Sequence, residues 1–354
     1  MLPAYIRTTS MIVCILVMVL GVVGNLMVPL VVFRGKDMRN STNIFLVNLS
    51  VADLCVLLVC APTVLVEVNS RPEIWALGEH MCKAVPFVEL TVAHASVLTI
   101  LAISFERYYA ICEPLRAGYV CTKARATCLC FLAWTAAALC TSPILWFSKY
   151  ENFKPNTSSV EINGEEPTIP LCRTPIDTNR EITFFIVLII LFFILPLLML
   201  LGLYSVIVRH LVRDSSTTSN CGDSYHARAR RQVVLMLLTV VFSFFICVAP
   251  FRLLSLYMVL APDGITGLGI DAYYNLLYFS RIMFYLNSAM NPILYNLMSS
   301  RFRIGFLRLC GLRTARSLER STFRSNITAS KLSRRTILFF FINSIENLPR
   351  FSFG

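Results

Sequence analysis

The sequence predicts an all-α membrane protein: a seven-transmembrane helix bundle followed by a short amphipathic helix on the inner leaflet. Three observations carry this reading. The 354 residues are 56% hydrophobic and 15% charged, whereas a soluble domain carries about 25% charged residues. The apolar residues fall into seven runs, 8–33, 44–68, 82–110, 124–147, 181–208, 233–260 and 273–298, each reaching the roughly 20 residues that cross a hydrocarbon core. Lys and Arg concentrate on alternate connections, as expected when one set of loops is cytoplasmic.

Taken in order, the first run is longer than the roughly 7–15 apolar residues of a signal-peptide core and is expected to be a signal anchor. Residues 1–7 are then an extracellular N-terminus and 8–298 one membrane domain. With the N-terminus outside and the C-terminus inside, 23 of the 32 Lys and Arg are cytoplasmic. The outer segments hold seven bases against eleven acids, from Glu67 to Asp271. The net charge of +12 therefore suits anionic inner-leaflet lipid and gives no reason to invoke nucleic acid. After the seventh run, Arg301, Phe302, Arg303, Phe306, Leu307, Arg308 and Leu309 alternate basic and apolar at helical spacing. This predicts an amphipathic helix over 299–310 lying on membrane lipid, with 311–354 as a cytoplasmic tail. Cys310 is a palmitoylation candidate there, or a plain cytosolic thiol.

Thirteen cysteines leave at least one unpaired. Most lie in apolar runs, where free Cys acts as a small hydrophobe. Only Cys82 and Cys172 fall on the oxidising outer side. Paired, they would pin the loop 148–180 over the bundle; the alternative is two free thiols. In that loop Asn156-Thr157-Ser158 is a glycan acceptor pattern. Asn40-Ser41-Thr42 and Asn326-Ile327-Thr328 match it too, but face the cytoplasm and should stay bare.

Charges inside apolar runs are costly and point to function. The third run carries Glu89 near its outer end and Arg107, within Glu106-Arg107-Tyr108, at its inner end. Their spacing of eighteen residues is five helical turns, about 27 Å on one face. Ser96 shares that face. The outer half of the bundle adds Phe251, Arg252, Tyr257, Tyr278, Arg281 and Tyr285. An internal Glu89–Arg281 or Glu89–Arg252 pair is one reading of these charges; a ligand with a cationic group and acceptors is the other.

Several further residues combine within the runs: Gly24-Asn25; Asn48-Leu49-Ser50-Val51-Ala52-Asp53; Glu106-Arg107-Tyr108 with Pro114-Leu115; Trp134; Pro196 and Tyr204; Phe244 with Cys247-Val248-Ala249-Pro250; and Asn291-Pro292-Ile293-Leu294-Tyr295. Together and in order they resemble the rhodopsin-like G-protein-coupled receptors over roughly residues 10–310. The resemblance implies a receptor and not an enzyme, with a heterotrimeric G protein and arrestin as inner-face partners. It implies that Glu106 holds Arg107 until activation, that Leu115 plugs into the G protein, and that Tyr204 and Tyr295 are activation tyrosines. Helix six would swing outward near Pro250, and Phe244 and Pro292 would belong to the same machinery; a static packing role for each proline kink is the alternative. No organic cofactor is implied. A sodium ion is, at Asp53, Ser96, Asn287 and Asn291, whose oxygens suit a hard cation; the alternative is a protonated Asp53 in a hydrogen-bond network.

Two departures stand out. Val248 occupies the position where the family usually has Trp, so the rotamer switch credited to that Trp is absent; either Phe244 and Phe251 carry the coupling or basal activity is altered. Arg230 stands where some members have an acid facing the arginine of helix three. For ligand class, no Lys lies in the core of any run, which excludes a retinal Schiff base. An amine receptor would use Glu89, but there is no serine between Thr183 and Tyr204, and two arginines would repel the amine. A peptide fits better. The stretches Glu67–Trp75 and Cys82–Ile100 resemble the thyrotropin-releasing-hormone, ghrelin and neuromedin U receptor group, and within it the arthropod ecdysis-triggering-hormone receptors. That resemblance implies a C-terminally amidated peptide hormone with a Pro-Arg element and coupling through Gq and calcium. Competing classes are another peptide or amine receptor, a non-signalling decoy, and a transporter or channel, which repeats in the hydropathy would have marked.

Overall fold

The structure is a computed structural model of the chain and describes residues 3–35, 38, 40–71, 74–153, 169–217, 221–261 and 269–309. Asn156, Cys310 and the side chain of Arg230 lie outside the described residues.

Seven long helices follow the seven apolar runs. They are Ala4–Arg34, Ser41–Asn69, Gly78–Cys112, Lys123–Phe147 (interrupted at Ser142-Pro143), 179–217, Cys221–Leu260 and Ile270–Met298, called spans one to seven below. Six are long and apolar enough to cross a membrane. The seventh is diluted by Arg281, Asn287, Ser288 and Asn291, which it turns inward. The helices run past the apolar runs at most ends, because hydropathy marks the hydrocarbon and not where helical hydrogen bonding stops. Thus span one starts at Ala4, behind Pro3 at its N-cap, inside the stretch read as an extracellular N-terminus.

Local chemistry sets the helix starts. Asn40 Oδ1 accepts from Asn43 N at 2.9 Å to cap span two. Thr122 caps span four, and Thr178 with Glu181 forms a reciprocal capping box on span five, each satisfying amide donors the first turn leaves open. Asn40-Ser41-Thr42, glycan-like as text, is therefore a helix start.

Two spans contain a π-turn, Val56–Cys60 in span two and Ile190–Ile194 in span five. Each precedes a proline, Pro62 or Pro196. The proline ring lacks an N–H and clashes with the carbonyl four residues back, which is Leu58 or Phe192, inside the widened turn. The π-turn relieves that clash without ending the helix.

Span three is the central strut, with 72% of its most apolar window buried against 28% in spans one and four. Span one meets span seven closely at Gly24: a Cβ there would stand 2.9 Å from the Pro292 ring. Only glycine allows this approach. The loop after span four holds an antiparallel hairpin, β1 (Lys149–Phe153) and β2 (Ile169–Arg173), with Tyr150 opposite Cys172. Trp75 N donates to Pro170 O at 2.9 Å, tying the loop after span two to the hairpin. The Cys82–Cys172 disulfide joins β2 to the start of span three.

The chain divides into two units, 1–294 and 295–354. The described part of the second contains helix Ser300–Leu309, with Phe302 and Leu307 buried and Arg308 exposed. Tyr295 meets Phe302 edge-on at 6.0 Å between ring centres.

Candidate functional site

Three polar sites are strung along the bundle. At the disulfide end a cavity of about 430 Å³ is walled by Glu67, Arg71, Trp75, Glu89, Arg173, Tyr273, Tyr274, Tyr278 and Arg281, among others. Of the seven ligand residues expected from sequence, Glu89, Tyr278 and Arg281 line it. The others do not. Arg252 and Tyr285 are buried, Tyr285 with its hydroxyl 3.4 Å from Cys60 O. Phe251 packs on Phe284 at 5.7 Å, and Tyr257 is 37% exposed.

The internal pair weighed from sequence is replaced by another. Arg281 Nη1 pairs with Glu67 Oε2. Among the described residues Glu89 makes no ion pair, and its Oε1 has no hydrogen-bond partner although the residue is only 4% exposed. Arg252 is equally buried, and its Nε is also without a partner. Sequence reading counted Glu67 as an outer acid at a helix end. Its side chain is 19% exposed, and its partner lies 214 positions away, so no local pattern reports the pair.

Half-way down, Asp53 is buried and accepts from Asn291 Nδ2 at 2.9 Å. Ser96 and Asn287, expected beside it as ion ligands, are buried as well. Asn25 donates to Gly21 O at 2.9 Å and to Ser288 O at 2.8 Å, bridging spans one and seven. Asn48 donates to Thr99 and accepts from Trp134 Nε1, both at 2.9 Å, joining spans two, three and four. Among the described residues no cationic side chain pairs with Asp53. The Ser288 side chain also hydrogen-bonds Asp53, and a buried carboxylate with a hydroxyl beside it suits a hard cation. Asn291, however, turns its amide nitrogen to the carboxylate and not the oxygen a cation needs.

At the opposite end Arg107 Nη2 binds Glu106 Oε1 at 2.8 Å and also bonds the Thr42 hydroxyl. The same carboxylate oxygen accepts from Thr42 at 2.6 Å and Ser41 at 2.9 Å, so the start of span two clamps the pair. The hydroxyls of Ser104 and Tyr204 stand 3.1 Å apart. Tyr108 donates to Glu113 at 3.3 Å, and Leu115 projects with 93% exposure. Phe244 is buried against Phe245, Val248 is 1% exposed, and Pro250 lies inside span six. Ser41 and Thr42 stand out in the sequence only as part of a glycan-like triplet, and not as partners of Arg107 and Glu106.

The comparison with known families agrees with this arrangement. Residues 24–295 match the family described as 7 transmembrane receptor (rhodopsin family). The chain belongs to that family of G-protein-coupled receptors: a multi-pass plasma-membrane protein and not an enzyme. It is 36% identical over 315 residues to the human growth hormone secretagogue receptor type 1, covering 88% of this chain and 83% of that one. It is 28% identical over 314 residues to a QRFP-like peptide receptor of Branchiostoma floridae, covering 88% and 79%. With the thyrotropin-releasing hormone receptor of Gallus gallus it shares 30% over 328 residues, covering 86% and 79%.

Proposed function

We propose that the chain is the receptor of a C-terminally amidated peptide hormone with a Pro-Arg element, of the ecdysis-triggering-hormone kind, signalling through Gq and calcium. One observation carries this reading: Glu89 is a buried carboxylate with an unpartnered oxygen, facing a ligand-sized cavity. A buried charge without a partner is costly, and a ligand guanidinium supplies the partner. Arg71, Arg173 and Arg281 on the cavity wall suit peptide carbonyls and disfavour a small amine. The cavity volume falls within the roughly 300–1,000 Å³ of ligand pockets. Similarity to receptors named for a hormone or a peptide supports the ligand class.

In this reading the disulfide end is extracellular and the chain runs N-out, C-in. Glu89, Tyr278 and Arg281 meet the ligand first; Phe251, Arg252, Tyr257 and Tyr285 respond as it settles. The signal passes Phe244, Pro250, Asn291, Pro292 and Tyr295. Sodium at Asp53, Ser96 and Asn287, with Asn291 rotated, favours the resting state. Opening of span six then frees Arg107 from Glu106, with Tyr108, Leu115 and Tyr204 completing the G-protein seat. Arrestin and inner-leaflet lipid are further partners on that side, Cys310 is a lipid anchor and Asn156 carries a glycan.

The test is to express the chain, challenge it with amidated peptides and record cytosolic calcium. A transient at submicromolar Pro-Arg-amide peptide is expected. Silence to every such peptide, with receptor shown at the cell surface, overturns the ligand assignment.

A further inference from the structure

Two acids, Glu67 and Glu89, and three arginines, Arg71, Arg173 and Arg281, share the wall of the cavity. Arg281 has one guanidinium to give, and it gives it to Glu67. Both side chains of that pair are largely withdrawn from water, at 15% and 19% exposure, so the attraction is little screened. Glu89 lies within electrostatic reach of Arg281 yet keeps Oε1 unpartnered. We propose that Glu67 is a positioning residue of this receptor: by holding Arg281, it keeps Glu89 free to receive the cationic group of the ligand, without touching that group itself.

The physical reason is competition. Without Glu67, Arg281 would be a buried cation facing a buried carboxylate that has no ion-pair partner among the described residues and one oxygen, Oε1, without a hydrogen bond. Removing one member of a buried pair leaves the other charge seeking compensation, and Glu89 is the remaining acid on the same wall. The collapse would fill the docking point from inside. Glu67 thus governs cation recognition through Arg281, a role that the acid's place at a helix end does not announce.

This inference rests on the peptide reading above, and the experiment separates the two. The probes are a Pro-Arg-amide peptide that activates the receptor and the same peptide with citrulline for arginine, which keeps the shape and removes the charge. The readout is the ratio of their potencies, beside surface expression. Wild type should favour the arginine peptide by about thirtyfold or more, as for a buried charge pair. Glu67→Gln should reduce that ratio below about threefold, and Glu67→Asp should keep it. Adding Arg281→Gln to Glu67→Gln should restore discrimination, because the released guanidinium that would occupy Glu89 is then gone. Arg281→Gln alone should keep the ratio even if both potencies fall. An unchanged ratio in Glu67→Gln overturns the inference. So does a double variant that stays indifferent, since Glu67 would then be a ligand contact. If the single variant does not reach the surface, the double variant and Arg281→Gln decide by the same ratios. A wild type that ignores every Pro-Arg amide defeats the ligand reading, and this inference with it.

Discussion

At Arg107 one guanidinium nitrogen, Nη2, is held by both Glu106 and Thr42, while at Glu89, on the same helix, a carboxylate oxygen is without a hydrogen-bond partner. In the proposed reading this contrast is that of a receptor at rest, with the Arg107 end tied down and one Glu89 oxygen left for the ligand. Thr42 is the residue that does most of the tying, bonding both Arg107 and Glu106. Thr42→Val keeps shape and removes the hydroxyl, at about 1 kcal/mol per hydrogen bond. Basal G-protein activation should rise about five- to thirtyfold, measured without ligand as nucleotide exchange in membranes; a resting rate equal to wild type would remove Thr42 from the latch. Glu89 and Arg107 were legible from sequence because intramembrane charges at five-turn spacing are rare enough to notice. Glu67 and Thr42 were not, because each looks like ordinary helix-end chemistry until its distant partner is placed beside it.

The helices themselves were written in the hydropathy, and all seven runs became spans. What hydropathy did not contain was how each helix accommodates its proline. A proline announces a lost hydrogen bond but not whether the chain kinks, breaks or widens. Here the π-turns ahead of Pro62 and Pro196 answer that. Gly24 shows the converse, a sequence motif with a packing cause: the Pro292 ring leaves no room for a Cβ. Gly24→Leu should overpack the contact between spans one and seven by about 1–3 kcal/mol. The expected result is a clear loss of thermal stability in detergent, read as the temperature at which the solubilised receptor aggregates. A melting curve matching wild type would show that the approach is not needed. The hairpin β1–β2 escaped sequence reading because its strands are short and their pairing is set by Cys172 and by Trp75 from another loop.

Across the whole bundle, buried polar groups form three stations: the cavity, the Asp53 cluster and the Arg107 latch. Val248 is buried in span six at the position where the resemblance implies an aromatic switch, so in the proposed reading the coupling runs through other contacts. Phe244 and its neighbours Phe245 and Phe193 form an aromatic run at that level. Phe244→Ala is expected to uncouple the ends: peptide binding within about threefold of wild type, with the maximal calcium response cut by more than half. Both numbers unchanged would place the coupling elsewhere.

The claim on which the rest depends is that Glu89 takes the positive charge of an amidated peptide. Equilibrium binding of the arginine and citrulline peptides to wild type and Glu89→Gln tests it as a closed cycle. The account expects each single change to weaken binding by about thirtyfold or more, and the two together to cost little beyond either alone. Additive losses, or a Glu89→Gln receptor that still separates the two peptides as wild type does, would contradict it.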